Sequence, residues 1–145
     1  MPNTKAQKTI DILKRHEGFK SSVYKCTAGL YTIGFGRMVD SSLSGGITLE
    51  EAEFLLKNDI GKCEKILFNK LDFYKDLSEN RQIVLLDMYF NLGNRLFKFV
   101  NTLEHIKNKN FEEASKEMLS SKWANQVGQR AVTLSKIMKD DDFIF

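Results

Sequence analysis

The sequence predicts an α+β protein that is mostly α-helical, and two observations support this fold class. Apolar residues recur every three or four positions through most of the chain, which is the period of a helix with one buried face. Between residues 31 and 36 the period changes to two, because bulky residues alternate with threonine or glycine as in a strand. We therefore expect one small sheet among several helices.

The first predicted element is a short amphipathic helix over residues 4–16. Its apolar residues have helical spacing, Thr4 is a candidate N-cap, and Gly18 follows its end. Glu17 stands near the C-terminus of this helix, where the negative end of the helix dipole disfavours ionisation of a carboxyl group. A carboxylic acid that keeps its proton is what general acid catalysis requires, so Glu17 is a candidate catalytic residue.

The change of period predicts a hairpin between Val23 and Val39. In a strand, the bulky residues of the alternating run share one face, while Thr32, Gly34 and Gly36 share the other. A nearly bare face would let a ligand approach the backbone closely. The alternative is that the glycines mark bulges or bends.

Capping signals predict the helices that follow. Thr48 and Glu51 have the spacing of a capping box, and a single apolar stripe about five turns long follows them. Cys63 falls on this stripe and is predicted to be a small core residue. Asn110 with Glu113 has the same spacing and predicts a second capping box.

A helical lobe is expected in the second half of the chain. The segment IVLLDMYFNLG, preceded by Ser78 as a candidate cap, is apolar on nearly every side and is predicted to be its central helix. The amphipathic segments after it are predicted to pack around this helix.

Composition excludes several classes of protein. The chain has 145 residues, of which 42% are hydrophobic and 28% charged, as expected for one globular domain. No apolar run approaches the roughly 20 residues of a membrane span. The N-terminus has no apolar core of a signal peptide, so we expect synthesis in a cytosol and no stable membrane association.

The sequence also has no metal-ligand pattern and no nucleic-acid-binding motif. Two cysteines give no disulfide framework, and no pair of histidines has metal-ligand spacing, so no metal or other cofactor is expected. The formal net charge is +3, and residues 1–40 are basic, with seven Lys or Arg against three Asp or Glu. This charge suits a polyanion, but no nucleic-acid-binding motif accompanies it. A monomer is the default expectation.

The stretch from Glu17 to Arg37, with the sequence EGFKSSVYKCTAGLYTIGFGR, resembles the active-site segment of the phage-type lysozymes, glycoside hydrolase family 24. The pattern of that family is Glu-Gly, eight residues between the Glu and an Asp, five between the Asp and a Thr, and then TIGxGH. The spacing matches throughout, with Glu17, Cys26 and Thr32 in the three positions. Downstream, LLDMYFNLG, FVNTL and SKWANQVGQRA resemble the family's core helices and C-terminal segment, so the resemblance covers nearly the whole chain.

The resemblance implies one lysozyme-like domain over residues 1–145. Its N-lobe would cover about residues 14–46, its connecting helix 48–68 and its C-lobe 69–145, with the helix 4–16 packing nearby. It also implies hydrolysis of the β-1,4 bond between N-acetylmuramic acid and N-acetylglucosamine in the glycan strands of peptidoglycan. We expect a phage or prophage endolysin that reaches the wall in the periplasm through a holin-type pore.

The resemblance also implies roles for single residues. In such enzymes the Glu protonates the departing glycosidic oxygen, while the Asp and Thr position or activate water on the other side of the sugar. Glu17 would be the general acid, and Thr32 would hold the water. Arg130, in the GQRA segment, resembles the arginine that pairs with the catalytic Glu, the alternative being a surface charge on a helix. Three further residues match substrate-binding positions that line the cleft: Phe90, Asn91 and Thr102.

The chain departs from the family pattern at two positions. Arg37 replaces the histidine that follows the glycines, so a structural His–carboxylate pair is expected to be missing. Cys26 replaces the Asp, and a thiol with an ordinary pKa of about 8.5 is only a few per cent thiolate at neutral pH unless a neighbour such as Lys25 lowers that pKa.

The consequences of the cysteine stay open. Cys26 could act as a partly ionised base, Glu17 and Thr32 could suffice at a lower rate, or the site could be disabled. Covalent attack by the thiolate, with retention of the anomeric configuration, is a further alternative. The rival function is therefore a catalytically impaired lysozyme-like module that binds peptidoglycan or a protein without cutting.

Overall fold

The computed structural model of the chain describes residues 4–25, 31–38 and 47–144. These residues form a mostly helical α+β structure, which confirms the predicted fold class. The elements are α1 (Lys5–Glu17), β1 (Lys20–Lys25), β2 (Tyr31–Gly34), β3 (Arg37–Met38), α2 (Leu49–Lys70), α3 (Glu79–Leu92), α4 (Val100–Lys107), α5 (Phe111–Ser120), α6 (Lys122–Val127) and α7 (Gln129–Asp140), with short 3-10 helices at Tyr74–Asp76 and Gly93–Lys98. The chain divides into two compact units, Met1–Glu64 and Lys65–Phe145, which we call unit 1 and unit 2.

Helix α1 begins and ends as its sequence predicts. The Thr4 side chain accepts a hydrogen bond from the Gln7 backbone N–H at 3.1 Å and so caps the N-terminus. Gly18 ends the helix at a φ of +69°, and its N–H donates to the Lys14 carbonyl at 2.9 Å. Because Gly18 stops the helix, Glu17 is the last residue of α1, and strand β1 follows from Lys20.

The sheet of unit 1 is antiparallel, in the order β1-β2-β3. Strand β2 ends at Gly34, so the predicted alternation of faces does not extend to Phe35 and Gly36, which lie in the turn to β3. The reason is backbone conformation, because Gly34 and Gly36 have φ values of +70° and +81°, a region that bends the chain. The prediction that the strand face continues to Gly36 is therefore wrong. Gly34 is the last residue of the strand and Gly36 lies in the turn, so the alternative that glycines mark bends is confirmed for Gly36.

The turn between β2 and β3 is held by the aromatic ring of Phe35. This side chain is buried, and its ring centroid lies 5.7 Å from that of Phe19. The Lys14 ammonium group of α1 lies 5.5 Å from the same ring centroid, within the range of a cation–π interaction. Lys14 also forms an ion pair with Glu53 of α2. One lysine therefore links α1, the turn and α2.

The Lys14–Glu53 ion pair makes a testable contribution to stability. The Lys14 hydrogen bond and charge lower the pKa of Glu53 below its ordinary value of 4.5. The carboxylate is thus favoured in the folded state, so this stabilisation is present above the ordinary pKa and is lost as the pH falls through the lowered value. The Glu53 side chain is 37% exposed, and we expect Glu53→Gln to cost only a few tenths of a kcal/mol, the lower part of the ~0.2–1 kcal/mol measured for exposed pairs.

Thermal unfolding of Glu53→Gln checks this expectation. The decrease in Tm should be measurable at pH 7, should shrink below pH 4.5 and should be smaller in high salt. Glu50→Gln, which removes a charge from the same helix, is the matched control. A decrease in Tm of Glu53→Gln that is independent of pH would contradict the interpretation.

Helix α2 begins with the predicted contact between Thr48 and Glu51. The Thr48 hydroxyl accepts from the Glu51 backbone N–H at 3.1 Å and donates to the Glu51 carboxylate, also at 3.1 Å. Cys63, on the same helix, is half-buried. Burial, assisted by the negative charge of Asp59, raises the pKa of the Cys63 thiol to about 11. This thiol is therefore protonated at neutral pH, as expected for a residue that packs rather than reacts.

Unit 2 is built on helix α3. Residues 82–89 of this helix are all buried, and α7 packs against both α3 and α5. Ser78 caps α3 by accepting a hydrogen bond from the Arg81 backbone N–H at 3.3 Å. The central helix predicted for this lobe is thus confirmed.

The second predicted capping box is wrong. Helix α5 does begin at Phe111, but the Asn110 side chain makes no capping hydrogen bond. The side chains of Thr4 and Ser78, which do cap their helices, belong to residues with ψ values of 160° and 156°, whereas Asn110 has a ψ of 67°. Because Asn110 is not extended, its side chain is not aimed at the first N–H groups of the helix.

Candidate functional site

The Glu17 carboxyl group lies directly against the turn between β2 and β3. A Cβ atom placed on Gly36 would stand only 2.5 Å from Glu17 Oε2 and 2.7 Å from Glu17 Cδ. Glu17 itself is half-buried. The candidate acid and the glycine-rich turn, which the sequence singled out separately, are therefore in contact within unit 1.

Thr32 occupies the centre of the small sheet. Its backbone is paired with Tyr24 on one side and Met38 on the other, and its side chain is only 5% exposed. The Thr32 hydroxyl donates to the Tyr24 carbonyl at 3.3 Å. The hydroxyl proton is thus engaged within the sheet, and the oxygen keeps lone pairs that can accept a hydrogen bond.

The third candidate catalytic residue, Cys26, lies outside the described residues. Strand β1 ends immediately before it, at Lys25, which pairs with Tyr31. The proposed base or nucleophile role of Cys26 therefore stays a prediction from sequence.

Arg37 forms an ion pair at the position where the family pattern has histidine. Its Nε lies 3.7 Å from Oδ2 of Asp59 on α2. Burial raises the pKa of the Asp59 carboxyl, against the opposing effects of Arg37 and Lys62. An ion pair with a carboxylate is thus present at this position although the histidine is absent.

Arg130 is buried in unit 2 rather than exposed. Its side chain is 8% exposed, and its Nε donates to Asp87 Oδ1 at 2.8 Å. A second guanidinium nitrogen lies 3.4 Å from the Asp87 carbonyl oxygen. The alternative interpretation of Arg130 as a surface charge is therefore wrong. A side chain held at two points by one residue is fixed in orientation.

Asp87 is a residue that the sequence reasoning missed. It lies in the apolar helix α3, and its side chain is 0% exposed. One sequence feature could have indicated it: Asp87 is the single charged residue within IVLLDMYFNL. A charge in a buried helix requires a partner. Asp87 is the residue that orients Arg130.

Asn91 follows Asp87 by one helical turn on α3 and also fixes a side chain. Its Oδ1 accepts a hydrogen bond from Trp123 Nε1 at 2.8 Å. The Trp123 ring in turn meets Phe99 edge-on, with ring centroids 6.2 Å apart. Asn91 was predicted to bind substrate, and the structure shows that its oxygen positions the indole of Trp123.

An open cavity of about 500 Å³ lies in unit 2, next to this indole. Trp123, Phe99 and Thr102 contribute to its wall, and Thr102 is one of the predicted substrate-binding residues. Phe90, another of them, is half-buried on α3 and does not line this cavity. The size of the cavity and its mixture of aromatic and hydroxyl groups are typical of a ligand site.

The charged residues around this cavity are mostly basic. Arg95, Lys98 and Lys122 line it, against the single acid Glu117. Three cations around one anion favour a ligand that carries a negative charge.

Within residues 4–25, 31–38 and 47–144, no three His, Cys, Asp or Glu side chains are grouped as a metal ion would require. No helix there is both long enough and apolar enough to cross a membrane.

Comparison with known proteins gives a consistent result. The profile of the family described as "Phage lysozyme" matches residues 14–138. The chain is similar to "Probable T4-type lysozyme 1" of Dictyostelium discoideum, with 30% identity covering 83% of this chain and 87% of the relative. It is also similar to the endolysin of Acyrthosiphon pisum secondary endosymbiont phage 1, with 27% identity covering 86% and 84%. The endolysin of Salmonella phage P22 is 29% identical, covering 79% and 80%.

The family match and the names of these relatives support a lysozyme or endolysin function, and the family implies peptidoglycan as the substrate. The profile match extends from the end of α1, before Glu17, to the last turn of α7, beyond Arg130. This chain therefore belongs to the phage lysozyme family.

Proposed function

We propose that this protein is a peptidoglycan muramidase that hydrolyses the β-1,4 bond between N-acetylmuramic acid and N-acetylglucosamine, with Glu17 as general acid. One observation carries the proposal: the Glu17 carboxyl group, at the end of α1, lies on the turn between β2 and β3. A half-buried acid held against a backbone turn is suitably placed to donate a proton to a bound sugar.

In the proposed reaction, Glu17 transfers its proton to the glycosidic oxygen as the bond to the anomeric carbon breaks. The anomeric carbon gains oxocarbenium character and is attacked by water from the opposite side. Thr32 supports this step, because its oxygen can accept a hydrogen bond from that water while its own proton is engaged by Tyr24. The proton that the water loses goes to a base, and the product is a new reducing end.

We propose Cys26 as this base, acting through its minor thiolate fraction. A positioned base contributes typically about 10²–10⁴-fold to the rate, and a thiol that is mostly protonated should deliver the lower part of this range. We therefore expect Cys26→Ala to lower kcat by up to about 100-fold, and Cys26→Asp to keep or raise it. Measured release of reducing ends checks both variants. An unaffected Cys26→Ala protein would show that the thiol is not the base.

We propose supporting and binding roles for residues of unit 2. Arg130, fixed by Asp87, is assigned a supporting role for the catalytic acid, as the resemblance implies. The cavity next to Trp123 and Thr102 is assigned to a part of the peptidoglycan, and its basic rim suits the carboxylates that this polymer carries. Asn91 is assigned to this site through Trp123, whose indole it holds. Phe90 lies outside the cavity, and its assignment to substrate binding rests on the resemblance alone.

Cleavage of cell walls tests the function. Purified protein is added to Gram-negative cells with a permeabilised outer membrane, and the released muropeptides are analysed by mass spectrometry. We expect new reducing ends at N-acetylmuramic acid. Binding to walls in a pelleting assay without new reducing ends would instead support the rival function, a lysozyme-like module that binds and does not cut. The substitution of Cys26 for Asp is the observation that favours this rival.

We also propose that the protein acts as a phage or prophage endolysin and as a monomer. It would be made in the bacterial cytoplasm and would reach the wall in the periplasm through a holin-type pore. The relatives named endolysin support this assignment. Expression in a Gram-negative host should leave cells intact until a pore-forming protein is co-expressed, and lysis without a pore would contradict it.

A further inference from the structure

We infer that Gly36 is a positioning residue that sets the place of the Glu17 carboxyl group. This inference rests on the proposed role of Glu17 as general acid. It assigns to Gly36 a role beyond making the turn, because the space left by its missing side chain is occupied by the acid itself.

The contact extends along the end of the Glu17 side chain. A Cβ atom on Gly36 would lie 3.0 Å from Cγ, 2.7 Å from Cδ and 2.5 Å from Oε2 of Glu17. Ordinary contacts between such atoms are about 3.5 Å, so one methyl group would displace the carboxyl group by roughly 1 Å. The acid therefore lies flat on the backbone of the turn.

The backbone at Gly36 is held on both sides. The preceding residue, Phe35, is buried between Phe19 and Lys14. The following residue, Arg37, pairs with Ile33 in the sheet and with Asp59 on α2. Because the turn is fixed, an added methyl group is expected to move the Glu17 side chain rather than the turn.

The other glycines with positive φ show that this contact is not a general feature of such positions. A Cβ atom on Gly34 would meet apolar atoms of Ile47 and Ala52. At Gly18, Gly93 and Gly128 it would meet nothing within 4 Å. Among the described glycines of this kind, Gly36 is the one whose Cβ would meet a carboxyl group.

Gly36→Ala is expected to lower kcat about 100-fold with KM changed less than about twofold, because a displacement of about 1 Å at a reacting group costs this much. The assay measures reducing ends released from soluble peptidoglycan fragments, at equal concentrations of folded protein. Gly93→Ala is the matched control, since its φ of +60° imposes a similar backbone strain without the contact. Equal activity of the two variants would overturn the inference.

A double-mutant cycle, with stability to urea as the measured quantity, tests the contact without an activity assay. Urea midpoints are compared for Gly36→Ala in the natural chain and in a Glu17→Ala background. We expect the methyl group to lower the midpoint more when Glu17 is present, and equal decreases would overturn the inference. If Gly36→Ala alone does not fold, recovery of folding by Glu17→Ala supports the contact, and continued failure contradicts it.

The two tests separate this inference from the proposed function. If the double-mutant cycle shows coupling while Glu17→Gln retains cleavage, the acid assignment is wrong and Gly36 has no catalytic relevance. If Glu17→Gln is inactive while Gly36→Ala is fully active, the proposed function stands and the positioning role fails.

Discussion

Replacing Glu17 by Gln is expected to abolish peptidoglycan cleavage while the protein stays folded. Glutamine has nearly the same shape as glutamate, but its amide cannot protonate a departing glycosidic oxygen. A general acid typically contributes about 10²–10⁴-fold, so we expect a loss of kcat of at least about 100-fold. Mass analysis of released muropeptides measures the loss. The Tm of the variant should remain close to that of the natural chain, because the amide occupies the same space against Gly36.

Glu50→Gln provides the matched control for this experiment. Glu50 is an exposed acid in the first turn of α2, also in unit 1, and its replacement removes the same charge by the same chemical change. We expect this variant to cleave as fast as the natural chain. Retained cleavage by Glu17→Gln would show that another group is the acid, and equal losses in both variants would indicate an effect of net charge on wall binding.

Much of the fold could be predicted because its signals are local. Thr4 and Gly18 mark the ends of α1, and Thr48 with Glu51 marks the start of α2, since a cap depends on residues only three or four positions apart. The turn at Phe35 could not be predicted in the same way. An alternation of bulky residues and glycine is compatible with both a strand and a bend, and the pattern alone does not determine the positive φ that Gly34 and Gly36 adopt.

The candidate site could likewise be predicted only where its signals are local. Glu17 and Thr32 were predicted because they stand at fixed positions of a sequence motif. The contact of Glu17 with Gly36, the hydrogen bond from Trp123 to Asn91 and the role of Asp87 were missed, because each joins segments that are far apart in the sequence. The nature of a residue predicts that it needs a partner, but only the fold determines which partner it finds.

The buried pair of Asp87 and Arg130 is expected to give the largest stability effect in the chain. Asp87→Ala removes a fully buried carboxylate and takes from the Arg130 guanidinium, itself 8% exposed, the carboxylate that accepts from its Nε. Breaking such a pair from one side typically costs about 3–5 kcal/mol. Since 1 kcal/mol shifts the Tm of a protein of this size by roughly 2–4 °C, we expect a decrease of about 10 °C. Thermal or urea unfolding measures it.

Two further variants separate the causes of this loss. Asp87→Asn keeps an oxygen that can accept from Arg130 Nε and should cost clearly less than Asp87→Ala. The double variant Asp87→Leu with Arg130→Met replaces both charges by apolar groups and should recover most of the stability, because neither charge is then buried alone. A decrease of Tm below about 2 °C for Asp87→Ala would show that the pair is not the main support of α7 on α3. A double variant that is stable but cleaves slowly would show that the guanidinium of Arg130 acts in the reaction as well as in the fold. Its slow cleavage could then not be attributed to lost stability.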